Sequence, residues 1–462
     1  MKIKNILGAL LGLLITVSSC DDMDFLQIKP DNLILTDDAI KSTADLEKLL
    51  LGTYNQIREN GFYEGNALRG FDVIADDGIA NTATFEWVQM STHEMNLVNA
   101  NGRNIWVNTY RAINRANQVA YNDLAEQILA GESEQVANRF KAEAAFIRGL
   151  GHFHLVRAFG LPYSDETKDV PQMGIPIRVR GVMDRATAFE IIQRSTVEEV
   201  YNQIIADLQF AITNLPADHK WDSGRATQDA AKALLAKVYF YKKDYTNAAA
   251  MAKQVVDSQR YKLDNDMTAK YARAEKKTTT EEVIFMIPSV SITEDSWGGL
   301  RSYRTNGLSL PTNHPSESLL NAYDKVNDKR FSTFYTEING LWYTTKFDYE
   351  FMDAIILGYN ELLLIYAESL AESGSDFSIA LSALNQIEQR AYGTTVTTAA
   401  NKETIISAVQ KERRLEMALL GERLFELKRL KQSVRGDAWD SRKILFQIPD
   451  VEQSGNPDVN MN

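Results

Sequence analysis

The sequence predicts a mostly α-helical fold: a helical repeat scaffold packed against an irregular, loop-rich second layer with a few short strands. Three observations carry that reading. Apolar residues recur at the helical period in segments spread along the chain. One helix–turn–helix pattern occurs twice, at residues 227–258 and 360–391. The stretches 61–102 and 261–359 lose the period and mix Gly, Asn and Thr with scattered aromatics; long stretches of that kind are commonly functional.

In chain order, helical pattern begins at Thr36, which suits an N-cap with acidic residues in the turn that follows. Leu46, Leu49, Leu50 and Ile57 share one face, with Tyr54 beside them. "NIWVNTYRAINRANQVAYNDL" and "ANRFKAEAAFIRGLGHFHLVRAFG" read as two further helices, the second stopped near Gly160 and Pro162. A loop runs to Arg185, and residues 196–216 form an amphipathic helix stopped by Pro216. The repeat at 227–258 follows, with Ala236, Ala248 and Ala252 as small packing residues, Tyr239 between the helices and an Asp244–Tyr245 turn. Its weaker copy at 360–391 puts Ala367, Leu370, Asp376–Phe377 and Ala380 in the matching places. This spacing is similar to a tetratricopeptide repeat, and two copies alone are fewer than a free solenoid needs. Other helices must complete the stack. "EEVIFMIPSV" reads as a short strand between the copies. "KERRLEMALLGERLFELKRL" reads as one helix with Leu415, Ala418, Leu419, Phe425, Leu427 and Leu430 on its apolar face. Gly421 inside it would cost about 1 kcal/mol relative to alanine. The tail from Lys443 reads as extended, without helix signal.

The N-terminus differs from the rest. Lys2 and Lys4 precede twelve mostly apolar residues, Ile6 to Val17. As a helix these span roughly 18 Å, short of a bilayer core of about 30 Å. They read as a secretory signal. Val17-Ser18-Ser19-Cys20 resembles a bacterial lipobox, which implies cleavage before Cys20 and its diacylation. Cys20 is the one cysteine in 462 residues, so an intramolecular disulfide and a CxxC metal site are excluded. The acidic run Asp21-Asp22-Met23-Asp24 resembles an export tag for the outer face of the outer membrane. A net charge of −12 argues against nucleic acid, whose binding needs a basic surface.

Catalytic patterns are scarce. The sequence has no HExxH, GxSxG or P-loop. His152 and His154 stand two apart on a helix and point to different sides, so they cannot readily share a metal. Asp76-Asp77 is the carboxylate pair in a loop; a glycosidase needs two carboxyls across a cleft. Asp77 reads instead as a hydrogen-bond acceptor or as a turn residue before Gly78. Glu412, Arg413, Arg414, Glu416, Arg423 and Glu426 read as structural, pairing with one another and with neighbouring helices.

Taken together, the lipobox with its acidic tag, Trp106, Tyr110, Ile113 and Asn117 in "NIWVNTYRAINRANQV", the segment "AEAAFIRGLGHFHLVRAFG", and "ERRLEMALLGERLFELKRL" with the late "FQIPDVEQSGNP" resemble the SusD/RagB family of outer-membrane nutrient-binding lipoproteins. The resemblance covers Cys20 to the C-terminus and departs at Leu420, where many members carry Glu; a local ion-pair difference is expected there. It implies about four tetratricopeptide-like helix pairs and a non-enzymatic protein without cofactor or metal. It implies a TonB-dependent, SusC-like β-barrel transporter as partner and an oligosaccharide as ligand, with oligopeptides as the alternative and a pure interaction scaffold as a third reading. The implied organisation is a signal peptide at 1–19, the acylated cysteine and a linker at 20–35, and a single unit at 36–462. Its scaffold would occupy about 36–60, 103–160, 196–260 and 360–431, and its ligand-side segments about 61–102, 161–190, 261–359 and 432–462. The family builds its ligand site from such segments. Here they carry Trp87, Trp297 and Trp342 for stacking on sugar rings, accompanied by Phe85, Tyr303 and Tyr343. Arg69, Asp77, Asn81 and Arg301 are the polar candidates. Trp106 reads as core, Trp439 as packing for the C-terminal segment, and Trp221 is open to either role.

Overall fold

Helical periodicity and capping residues decide most of the elements. The computed structural model describes residues 40–59, 61–80, 84–188, 190–217, 224–294, 300, 303, 313–456 and 459. Residues up to Asp45 form one unit, of which 40–45 are described; those from Leu46 onward form the other. The helices are α1 (Thr43–Ile57), α2 (Gly65–Ile74), α3 (Phe85–Thr92), α4 (Ala100–Ala120), α5 (Asp123–Leu129), α6 (Glu134–Phe159), α7 (Arg185–Ala188), α8 (Val197–Asn214), α9 (Gln228–Lys242), α10 (Tyr245–Asp257) and α11 (Ala269–Lys276). They continue with α12 (Glu317–Leu320), α13 (Lys329–Phe334), α14 (Tyr359–Ser373), α15 (Phe377–Tyr392), α16 (Lys402–Glu416), α17 (Arg423–Arg429) and α18 (Asp450–Gly455). The strands are β1 (Gly78–Ala80), β2 (Val283–Ile287), β3 (Asn313–Pro315), β4 (Tyr335–Ile338), β5 (Leu341–Thr344) and β6 (Ala354–Gly358).

Eight helices pack in succession: α4 on α6, α6 on α8, α8 on α9, α9 on α10, α10 on α14, and α14 on both α15 and α16. The two repeat copies seen in the sequence are α9–α10 and α14–α15. Their ends are capped by the residues the pattern supplies: Thr227, Asp244 and Asp376 accept from the first-turn amides, and Gly374 and Gly393 take the left-handed C-cap. Helix α8 opens with a full capping box, Thr196 with Glu199. Two glycines let α6 sit at the centre. A Cβ on Gly151 would come within 2.8 Å of Ile113 on α4, and one on Gly149 within 3.4 Å of Leu208 on α8. Trp106 is buried as expected and donates from Nε1 to Glu452 at 3.0 Å.

The second layer holds three two-stranded antiparallel sheets, β1–β3, β2–β6 and β4–β5. Strand β2 is buried along its whole length and joins the layers: Phe285 meets Phe146 edge-on at 5.0 Å and Tyr54 at 6.4 Å. No described helix is long and apolar enough to cross a membrane.

Three sequence expectations need correction. The segment 61–102 was expected to be irregular but carries α2 and α3. Helix α2 is only ten residues long and carries Gly65 and Gly70, which weaken its helix signal, and nine of its ten residues are buried, Arg69 and Asp72 among them. Helix α3 turns Phe85 and Val88 outward, which scrambles its pattern. Gly421 does not lie inside a helix. Helix α16 stops at Glu416 and α17 starts at Arg423; between them Gly421 adopts φ +76°, and a Cβ there would come within 2.9 Å of Leu68 Cα. The C-terminal tail is not wholly extended, since Asp450–Gly455 is helical.

Candidate functional site

The irregular face is fixed to the scaffold by charge. Where α2 ends, Asp76 accepts from Arg423 Nε at 2.7 Å and Nη2 at 3.1 Å, and Asp77 accepts from Arg414 Nη2 at 2.7 Å and Nε at 3.0 Å. The backbone of the same turn holds β3: Ser316 N–H donates to Asp77 O at 2.8 Å, and Ser316 Oγ donates to Asp76 O. Asp72 accepts the Gly421 amide at 3.1 Å. Arg435 donates to the carbonyls of Ala75 and Gly78, and the His93 ring bridges Ile74 O at 2.9 Å and Asp437 at 2.7 Å. Burial pulls the Asp76 carboxyl up, but the hydrogen bond and charge of Arg423 hold it below the usual range. Burial wins at Asp77 and raises it despite Arg414 and Arg423.

Behind this turn lies a buried ion network along α14, α16 and α17. Arg413 meets Glu361 at 2.8 Å, Glu426 at 3.3 Å and Glu422 at 3.6 Å. Arg330 meets Glu412 at 2.6 Å, Asp328 at 2.7 Å and Glu416 at 3.0 Å. Arg429 lies 2.6 Å from both Glu368 and Glu426, and Lys237 joins Glu361 to Glu422. Against the pull of burial, Arg390 and Arg330 hold Glu416 well below the usual carboxylate range, and Lys237 and Arg157 do the same for Glu422. Leu420 lines a small cavity of about 40 Å³ together with Lys237, Lys270 and Glu422. The cavity has room for a water.

The nominated residues divide by exposure. Asp77 is 1% exposed and tied to Arg414. Trp87 is 8% exposed, with the Arg69 guanidinium carbon 3.5 Å above its ring centre. Burial lowers the Arg69 pKa to about 10, while Tyr303 and Glu64 oppose that shift. Tyr303 is fully buried; a Cβ on Gly78 would touch its hydroxyl at 2.6 Å. Arg69, Trp87, Tyr303 and Asp77 therefore belong to the inner side of this junction. Phe85, at the start of α3, is 66% exposed, with Val88 one turn on and also exposed. On the β4–β5 hairpin Tyr343 is buried, whereas Trp342 is half-buried. Phe331 backs the Trp342 ring at 4.9 Å, and Lys325 Nζ lies 5.7 Å from its centre. Asn81, Trp297, Arg301, Trp221 and Cys20 lie outside the described residues. Ala80 and Asn313, which flank two of the intervening segments, are Cα partners in the β1–β3 sheet.

Asp76 and Asp77 are each engaged by arginine, and His152 and His154 are both buried, with pKa lowered to about 3 by burial and by the nearby Arg148 and Arg157. His154 packs among the rings of Phe62, Tyr63 and Phe71. Among the described residues no group of three or more His, Cys, Asp or Glu could hold a metal ion.

Comparison with known proteins places this architecture. Residues 24–240 match a family model described as "Starch-binding associating with outer membrane", and residues 206–458 match the model of the SusD family. SusD-like protein P2 of Formosa agariphila is 25% identical over 477 aligned residues, covering 91% of this chain and 89% of the relative. A SusD-like protein of Bacteroides ovatus is 29% identical over 37% of this chain and 28% of its own. Among solved structures, a SusD superfamily protein from Bacteroides thetaiotaomicron superposes with a TM-score of 0.77 at 22% identity, covering 91% of this chain and all of that one. A SusD-like carbohydrate binding protein from Bacteroides vulgatus superposes with a TM-score of 0.76 at 18% identity, covering 91% and 98%. With more than half of its length matched by that family's model, on a ladder of repeat helices clamped to an irregular face, this chain belongs to the SusD family.

Proposed function

We propose that this chain is an outer-membrane, cell-surface lipoprotein that captures an oligosaccharide and hands it to a TonB-dependent β-barrel transporter. The observation that carries the reading is the family match over residues 206–458, supported by the outer-membrane description of the model matching 24–240 and by the solved neighbour named as carbohydrate binding. Residues 1–19 serve as its signal, 20–35 as the acylated cysteine and linker, and 36–462 as one binding unit. Its role is binding without chemistry.

Phe85 and Trp342 are the accessible described rings for sugar stacking, joined by Trp297, Asn81 and Arg301 from the neighbouring segments. Arg69, Asp77, Trp87, Tyr303 and Tyr343 support that face from below. The burial of Trp87 takes away one expected stacking ring. It favours, as the second reading, an oligopeptide ligand in the same architecture.

Isothermal titration of the chain against a panel of neutral and acidic oligosaccharides and oligopeptides tests the reading. A glycan should bind, and Trp342→Ala should weaken it about tenfold or more, because tryptophans at the centre of a binding surface carry much of its energy. Silence towards every glycan, with a peptide bound, would replace the first reading by the second. Radiolabelled palmitate should enter the wild type but not Cys20→Ala, and that variant should leave the membrane fraction.

A further inference from the structure

An open groove of about 740 Å³ runs along the helical scaffold, between α15 and the 262–267 loop. That volume is within the range of about 300–1,000 Å³ usual for ligand sites. None of the candidate rings among the described residues lines it. One wall is a polar stripe of α15, where Ser382, Asn385, Gln386 and Gln389 fall at helical spacing beside the buried face of Ala383, Leu384 and Ile387. Asp264 and Asn265 line it from the loop, and Lys329 from the start of α13.

Two residues that line this groove each carry a polar atom buried beneath its surface without a partner, Asn385 Oδ1 and Arg390 Nε, which a ligand meets only when those side chains turn towards it. The Arg390 side chain is 8% exposed, and its terminal nitrogens are engaged by Glu282 and Glu416. Its Nε is a donor left over. Buried polar groups are nearly always hydrogen-bonded, so such atoms in one groove wall ask for an explanation. One is an acceptor and one a donor, which is what a hydroxyl complements, since it both donates and accepts. The stripe's amides offer the same pair of functions. Gln389 already donates to Gly393 O at 2.8 Å, which keeps its carbonyl oxygen as an acceptor.

Charge narrows the ligand further. Lys262 pairs with Glu281, Arg390 with Glu282 and Glu416, and the Asp264 carboxylate accepts from Thr280 and from the Glu281 amide. Lys329 and Asp264 then oppose one another, so no strong net charge is left to select an ion. Among the described residues no strand lines the groove to hold a peptide by strand addition. We infer that this groove is a second binding site, for a neutral polyhydroxylated ligand: an oligosaccharide segment held by its hydroxyl edges rather than stacked on rings. The inference rests on the carbohydrate reading above.

The test is calorimetric titration of the full chain with cello-, xylo-, manno- and maltohexaose and with tetra-alanine. It compares wild type, Trp342→Ala and Gln386→Trp; Gln386 is exposed, so the tryptophan fills the groove without entering the core. Melting curves by circular dichroism establish that each variant is folded. The expected result is two sites for one hexaose, of which Gln386→Trp weakens one by about tenfold or more, while Trp342→Ala spares that one. Asn385→Ala should weaken the same site. An isotherm unchanged by Gln386→Trp while Trp342→Ala still lowers affinity would overturn the groove and leave capture standing. If no hexaose binds the wild type, both readings fall together. Tetra-alanine binding abolished by Gln386→Trp would overturn the assignment of ligand class.

Discussion

Two seams of the scaffold are equally buried and built from opposite chemistry. Between α9 and α10, and between α14 and α15, the contact is made by small apolar residues: Ala236, Ala248 and Ala252 in the first pair, Ala367, Ala380 and Ala383 in the second. Where α14 meets α16 and α17, the contact is made by arginines and glutamates, with Arg413 only 1% exposed. An apolar seam depends on shape and volume, and volume-conserving changes disturb it little. An ionic seam depends on completeness. Its charges have left water, and removing one strands its partners in a medium that cannot solvate them. The first kind degrades by increments, the second all at once.

The contrast can be broken most sharply at Arg413. Arg413→Met keeps the bulk but leaves Glu361, Glu422 and Glu426 short of a cation. Loss of about 3–5 kcal/mol is expected in urea denaturation; a loss below about 1 kcal/mol would mean that the network is not a unit. Arg148 and Asp207, bidentate at 2.6 and 2.8 Å between α6 and α8, offer a simpler ion pair for comparison, with Arg148 also donating to Asn117 and to Val179 O and Gln203 donating to Asp207. Arg148→Met alone should cost about 3 kcal/mol, and adding Asp207→Leu should recover most of it, because a buried pair replaced by apolar residues is often close to neutral. A double variant no better than the single would refute that distinction.

Gly421→Ala should cost about 1–3 kcal/mol, since alanine at φ +76° is strained and its Cβ meets the α2 backbone. The melting temperature measures it. The next effect is on pH. Lys346, donating to Ala418 O at 2.7 Å, and Lys428, donating to Arg157 O at 3.3 Å, are buried, and burial lowers both pKa values from 10.5 to about 7. Between those values the unfolded chain binds more protons than the folded one, so stability should rise with pH from 7 towards 10, by up to about 1.4 kcal/mol per unit for each lysine. Denaturation curves of Lys346→Met with Lys428→Met should lose that rise. His154→Phe tests the acid side. The buried imidazoles of His154 and His152, both held neutral to about pH 3, cost the fold stability as pH falls from 6.5, and phenylalanine among Phe62, Tyr63 and Phe71 should remove the share that His154 contributes. An undiminished loss in the variant would place it elsewhere.

Helices with clear caps and one polar face were legible in the sequence. Thr227, Asp244 and Asp376 announce their helices, and the alanines announce close packing. Helix α2 was not legible, because it is short and holds two glycines, Gly65 and Gly70, nor was α3, because Phe85 and Val88 face outward. Gly421 was misread because apolar residues on both sides kept the helical rhythm through a turn. The charged set around Glu412 read as structural from spacing alone, but its partners Glu361, Arg330 and Glu368 lie far off in the chain, where spacing says nothing. At the candidate site, aromatic content does not tell which rings reach solvent. Arg69 lying over Trp87 is a tertiary fact with no local signal.

The clamp of Asp76 and Asp77 by Arg423 and Arg414 bears on how such proteins diversify. It fastens β1 and β3 by contacts that end at Ala80 and Asn313. The anchoring is complete within the described residues 72–80, 313–316 and 414–423 and draws on nothing beyond the two strand ends. Loops mounted this way can change in length and composition while the chassis stays folded. Selection is thereby given an interchangeable cassette on a constant frame. Transplanting the segments that follow Ala80 and precede Asn313 from a relative should move ligand preference with them and leave the melting temperature where it was.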